Sequence, residues 1–153
     1  RHPNLIVLRT YSKIYGLAGL RIGYGIGDPE LVSYLERARH PFNVSLAAQV
    51  AALAALDDDA FVARSRAVNA EGIALLEREL SQLGLETTPT DANFLLVRAR
   101  GRDTYDRLLR RGVIVRPLGG FGLEGHVRIT VGTPAENARL VDALRALRAE
   151  GAL

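Results

Sequence analysis

"RTYSKIYGLAGLRIGYGIG", Arg9–Gly27, holds Lys13, the only lysine among the chain's twenty Lys and Arg residues. It follows "NLIVL", Asn4–Leu8, a short branched apolar run of the kind that forms a buried strand. Leu5–Leu8 is therefore predicted as a buried strand, Thr10–Gly19 as a glycine-punctuated loop and Arg21–Ile26 as a second strand. Lys13 then falls just past the carboxyl end of a strand, where α/β sheets gather their ligands.

Working outward, Asp28-Pro29 supplies a helix N-cap followed by proline at the first helical position. Leu31, Leu35 and Ala38 keep helical spacing until Pro41. Ser45–Leu56 is apolar on nearly all sides and reads as a buried helix. A long amphipathic helix is predicted from Asp57, with Phe61, Ser65, Val68, Gly72, Leu76, Leu80 and Leu83 in one stripe and Gly84 ending it. Strands follow at Asn93–Val97, Val113–Val115 and Val127–Val131, with a helix near Asp103–Arg111. The last helix starts at Pro134, where Thr133 and Glu136 have capping-box spacing, and turns Leu140, Val141, Leu144 and Leu147 inward. The pattern is α/β over 1–56 and a compact α+β unit over 57–153.

Composition narrows the classes. The chain is 48% hydrophobic and 24% charged, as in ordinary globular proteins. No apolar run nears the ~20 residues of a membrane span. Cysteine is absent, which removes disulfides and thiolate metal sites. His2, His40 and His126 are scattered and form no metal pattern. The net charge of +3 is spread among acidic residues on helix faces rather than gathered into a nucleic-acid patch. Methionine is also absent, and residue 1 stands at the doorstep of a strand, so a fragment of a longer protein is expected.

The residue types around Lys13 suggest one kind of chemistry. Only lysine offers an amine nucleophile toward a carbonyl, because guanidinium stays protonated. Gly16 and Gly19 allow backbone to approach a ligand closely, Thr10 and Ser12 add hydroxyls, and Arg21 brings a fork suited to phosphate. Amine, hydroxyls and guanidinium within twelve residues point to a phosphorylated aldehyde cofactor, with pyridoxal 5′-phosphate the candidate. The bland alternative makes Lys13 an exposed loop lysine and Arg21 a surface residue. Nucleotide motifs do not compete: "GYGIG" at 23–27 lacks G-x-G-x-x-G spacing, and G-K-[ST] is absent. In "VRITV", Val127, Ile129 and Val131 share one face, while Arg128 and Thr130 share the other. Asn93 opens a strand and either lines the site or is structural, Asn43 is placed to cap the helix at Ser45 rather than to touch ligand, and Tyr11 and Tyr15 either pack or frame a pocket.

"TYSKIYGLAGLRIGYGIGDPEL" resembles the lysine segment of fold-type I aminotransferases, especially the histidinol-phosphate aminotransferase branch. The likeness continues through "PFNVSLAAQVAALAAL", "DANFLLV", "RRGVIVRPL" and "VRITVGTPAEN". The resemblance implies the C-terminal part of that fold: the end of the large-domain sheet in 1–56 and the α+β small domain in 57–153. It implies that Lys13 binds pyridoxal 5′-phosphate covalently and shuttles the substrate's Cα proton. Arg21, Ser12 and Thr10 would anchor the cofactor phosphate, and Arg128 and Arg116 would bind substrate anions. The implied substrates are histidinol phosphate and glutamate/2-oxoglutarate, in a cytoplasmic homodimer without metal, membrane or nucleic-acid partners. Aromatic aminotransferase and threonine-phosphate decarboxylase activities, or a non-catalytic packing module, are the alternatives. The groups that the family places on the pyridine nitrogen, on the ring face and at a helix N-terminus have no counterpart in these 153 residues.

Overall fold

A computed structural model describes residues His2–Leu153, so Arg1, the first residue of the expected 1–56 unit, lies outside the described residues. The chain divides into two compact units, one ending at Arg66 and the other running Ala67–Leu153.

In the first unit, β1 (Ile6–Thr10) and β2 (Gly23–Gly27) form an antiparallel pair, in register from Ile6 opposite Gly27 to Thr10 opposite Gly23. Gly23 is required at the last rung, since a Cβ there would meet the Arg9 carbonyl oxygen at 2.6 Å. Pairing continues one step further through the Tyr11 N–H, which donates to the Ile22 oxygen at 3.2 Å. Arg21 cannot extend the strand as expected, because its backbone is left-handed at φ 53°. Two helices follow, α1 (Pro29–Ala38) and α2 (Leu46–Leu56). Asp28 caps α1 by accepting the Glu30 N–H at 3.0 Å. Ser45 rather than Asn43 caps α2, accepting the Ala48 N–H at 3.2 Å, while Asn43 accepts from Arg39.

Two expectations of burial fail here. Leu8 is 73% exposed on β1, and Leu46 and Leu53 are 76% and 67% exposed on α2, where only Ala48 and Ala52 are buried. Apolar composition describes a surface that favours cover; burial needs a neighbouring element, and within this unit the cover reaches only part of that surface.

The division between units falls inside α3 (Asp59–Gln82). This helix ends as expected at Gly84, whose φ of +72° lets the Leu85 N–H return to the Leu80 oxygen at 2.9 Å. The second unit continues with β3 (Glu86–Thr88), β4 (Phe94–Arg98), α4 (Arg102–Leu109), β5 (Arg116–Pro117), β6 (His126–Thr130) and α5 (Pro134–Ala149). The sheet is antiparallel with order β3-β4-β6-β5.

Alternation works as expected on the central strands. Leu95 and Val97 of β4 and Val127 and Ile129 of β6 pack with Leu76 and Leu80 of α3, Leu108 of α4, and Leu140, Leu144 and Leu147 of α5. The capping box closes α5: the Thr133 N–H donates to Glu136 Oε2 at 2.7 Å, and Thr133 Oγ1 accepts the Glu136 N–H at 3.4 Å. Buried Asn137 clasps the preceding turn, taking the Gly132 N–H at 2.9 Å and donating to the Gly132 oxygen at 3.1 Å.

The expected strand at Val113–Val115 is displaced to Arg116–Pro117. The Val113 N–H is drawn back to the Leu108 oxygen at 3.0 Å, closing the end of α4. The Gly112–Val115 segment thus parts from β6 and leaves a groove lined by Val113, Ile114, Ile129, Val131 and Leu140. β3 was not anticipated; three residues with two threonines carry too little pattern to read.

Candidate functional site

Each unit presents its own set of polar groups. In the first, they cluster at the loop end of the β1–β2 pair. Tyr11 is buried at 6% exposure, its ring 5.0 Å from that of Tyr15 and 5.9 Å from that of Tyr24. Burial, then the neighbouring Tyr24 and Tyr15, push its phenol above the ordinary range, so it stays protonated. Tyr11 is therefore a packing residue, and its backbone oxygen accepts the Leu17 N–H at 3.0 Å to pin the loop.

On that anchor, Thr10 Oγ1 accepts the Ser12 N–H at 3.0 Å, which leaves the threonine hydroxyl proton free to donate. The Lys13 oxygen accepts the Gly16 N–H at 2.9 Å in a tight turn, where Gly16 has φ +69°. Lys13 is exposed and has no carboxylate within ion-pair reach among the described residues. Arg21 spends one nitrogen on the Ala18 oxygen, Nη1 to O at 2.7 Å, leaving Nε and Nη2 available. A left-handed non-glycine residue costs about 1–2 kcal/mol. Here the cost is offset by that bond and by the turn Ala18–Leu20, which Arg21 closes. Ser12 and Arg21 leave the two strands at the same end, next to the Tyr11–Ile22 hydrogen bond. The donor set is an uncommitted amine, two hydroxyls and a guanidinium edge, which suits an aldehyde that carries a phosphate ester.

In the second unit, the sheet face turned away from the core carries the arginines. Arg116 of β5 stands directly opposite Arg128 of β6, and Leu96 of β4 flanks Arg128 on the other side. Like charges placed opposite each other in a sheet destabilise it. Yet neither arginine has a carboxylate within ion-pair reach among the described residues. Each guanidinium lies over a phenyl ring instead: Arg128 5.1 Å from the centre of Phe94, Arg116 5.0 Å from that of Phe121. Arg128 Nε and His126 Nδ1 are buried without a partner. Two adjacent cations with unspent donors form a ready anion site.

Sequence pattern alone does not single out Phe94 or Phe121. The available signal was Phe94 itself, an aromatic in the outward register of β4 while Leu95 and Val97 point inward. Asn93, by contrast, contributes through its backbone, its oxygen accepting the Val131 N–H at 2.9 Å. Among the described residues no cluster of metal-ligating side chains occurs, and no helix is long and apolar enough to cross a membrane.

Residues 1–144 match the family described as aminotransferase class I and II, and the chain belongs to that family. It is 52% identical to a histidinol-phosphate aminotransferase of Symbiobacterium thermophilum over 153 residues, covering 98% of this chain and 42% of the relative. Histidinol-phosphate aminotransferase 1 of Thiobacillus denitrificans is 53% identical over 145 residues, covering 94% and 38%. The crystal structure of histidinol-phosphate aminotransferase from Sinorhizobium meliloti in complex with pyridoxal-5′-phosphate superimposes with a TM-score of 0.87. It is 32% identical, over 97% of this chain and 42% of that one. The chain thus spans about two-fifths of the length of the curated relatives it matches.

Proposed function

We propose that this chain is the lysine-bearing and small-domain portion of a pyridoxal-phosphate aminotransferase acting on histidinol phosphate and glutamate/2-oxoglutarate. Residues 1–56 are assigned to the large domain and 57–153 to the small domain, in a cytoplasmic homodimer. The observation that carries the reading is the Arg116–Arg128 pair: two arginines in direct cross-strand register with no carboxylate in ion-pair reach among the described residues. Such a pair suits a dianion, and a phosphate monoester and glutamate both bring two negative charges.

The roles divide by unit. Lys13 holds the cofactor through its amine, and Arg21 Nε and Nη2 with the Ser12 and Thr10 hydroxyls face its phosphate. When bound, pyridoxal phosphate supplies the electron sink for the bond broken at the substrate Cα. Once the substrate amine has displaced it from the cofactor, Lys13 Nζ would carry the proton from the substrate Cα to the cofactor's C4′, an acid–base role that no arginine could fill. Arg128 and Arg116 hold the substrate's anionic groups and so fix which Cα bond is presented.

The test is steady-state amino transfer by the complete protein, with histidinol phosphate compared against phenylalanine and threonine phosphate. Histidinol phosphate should lead in kcat/KM by about tenfold or more, the discrimination that one additional charge-assisted contact provides. A preference for phenylalanine, or carbon dioxide release from threonine phosphate, would refute the assignment.

A further inference from the structure

We propose that Phe94 and Phe121 are positioning residues for anion binding: platforms that hold Arg128 and Arg116 side by side without spending their charge. The proposal rests on the reading that these arginines take the substrate's anions, and it explains how the fold tolerates the pair.

Two guanidiniums opposite each other on β5 and β6 repel, and an unrestrained arginine would swing away into solvent. Among the described residues seven other arginines pair with carboxylates. Arg98, on the same strand as Phe94, donates to Glu86 at 3.2 Å, Arg107 to Asp103 at 3.0 Å, and Arg111 to Glu150 at 2.6 Å. A carboxylate on Arg128 would neutralise it and occupy the same in-plane N–H edge that a ligand needs. A phenyl ring instead attracts the cation through its negative face, contacts the flat side of the guanidinium, and leaves the edge and the full charge for an anion. In both arginines of the pair the guanidinium carbon lies over a ring, 5.1 and 5.0 Å from its centre.

The two platforms differ in strength. Arg128 is half-buried with its Nε shielded, and Phe94 is half-buried beneath it. Phe121 is 65% exposed, so water competes with its contact to Arg116. Cation–π attraction grows with desolvation. Phe94 therefore sets the fixed half of the site and Phe121 the looser half.

The test uses the complete protein, with inorganic phosphate as the probe for binding and the phosphate-ester substrate for kinetics. Phe94→Leu should raise the phosphate Kd and the substrate KM about five- to tenfold, with kcat within about twofold. Phe94→Tyr should restore both, and Phe121→Leu should cost about twofold in Kd. Stepwise fluorination of the ring at position 94 should weaken phosphate binding in step with the loss of its negative face. That series preserves the shape of the side chain and so separates positioning from folding. Phosphate affinity unchanged across the fluorinated series and in Phe94→Leu, while Arg128→Gln abolishes binding, would overturn the platform role alone. Phosphate affinity unchanged in Arg128→Gln would overturn the anion-site reading and the platform with it.

Discussion

Leucine is treated differently in the two units. Leu80 and Leu95 of the second unit are completely buried, whereas Leu8 and Leu53 of the first are 73% and 67% exposed. The second unit mixes apolar and polar residues with the period of its elements, so a sheet and three helices close on one another. In the first, apolar residues run along both faces of β1 and around α2, and one neighbour cannot cover them all. Arg116 and Arg128 thus stand on a sheet that completes its own core. Lys13 stands in the loop of a hairpin with much apolar surface still open. Only the lysine's half of the proposed site is therefore separated from the unit where the stability is made.

The sharpest way to break that separation is Lys13→Ala in the complete protein. Amino transfer should fall by about 10³-fold or more, the scale of losing a positioned proton-transfer group. Lys13→Arg should not recover it, because guanidinium cannot deprotonate. Phosphate affinity at Arg116 and Arg128 should be unchanged. A parallel loss of phosphate binding would show that the two donor sets do not act independently.

The same substitution placed in each unit measures the other half of the contrast. Leu80→Ala should destabilise the chain by about 2–5 kcal/mol in urea unfolding, as buried leucine truncations do. Leu53→Ala in this chain should stay within about 0.5 kcal/mol, as at exposed sites generally. Equal costs would mean that α2 is covered in solution. Gly72→Ala sharpens the packing argument. Alanine in a helix interior normally gains about 1 kcal/mol over glycine. Here a Cβ at position 72 of α3 would collide with Val131 Cγ1 and crowd Asn137 Nδ2 at 3.1 Å. A net loss of about 1–2 kcal/mol is expected from overpacking; a gain in thermal midpoint would contradict the close approach.

Local chemistry was legible in the residues, and long-range pairing was not. Asp28-Pro29, Thr133 with Glu136, and Gly84 each announce a helix boundary through bonds spanning a few residues, and all three stand where expected. The outward register of Arg128 followed from alternation alone. The β-branched run Val113–Val115 looked more like a strand than Arg116-Pro117, yet the strand forms where β6 is within pairing reach. The cross-strand partnership of Arg116 and Arg128 and the rings beneath them depend on that register. No local pattern could show them. The lysine loop is the reverse case: residue types point to a chemistry, while the support from Tyr11, Tyr15 and Tyr24 appears only when the hairpin closes.

The smallest expected effect concerns Glu136, and it tests whether the turn after β6 is held by charge. The Thr133 N–H, then its hydroxyl, stabilise the carboxylate and hold Glu136 below its ordinary value of 4.5, against a small opposing effect of desolvation. A group whose folded pKa is depressed adds stability above the unfolded value and loses it as pH falls through the folded one. The parent chain should therefore exceed Glu136→Gln in stability at neutral pH by a small constant margin. That margin should shrink as pH drops below about 4.5. A glutamine reaches the same backbone N–H, so the capping geometry survives and the charge alone is removed. A margin independent of pH would assign the contribution to hydrogen bonding. One that widens on acidification would contradict the depressed carboxylate. Glu136 adjoins the Gly132–Asn137 clasp that follows β6, but that clasp lies beyond the paired rungs of the strand, so phosphate affinity should not vary with this substitution. The placement of Arg128 comes from strand pairing and Phe94, and the helix cap only secures the end of the strand that carries it.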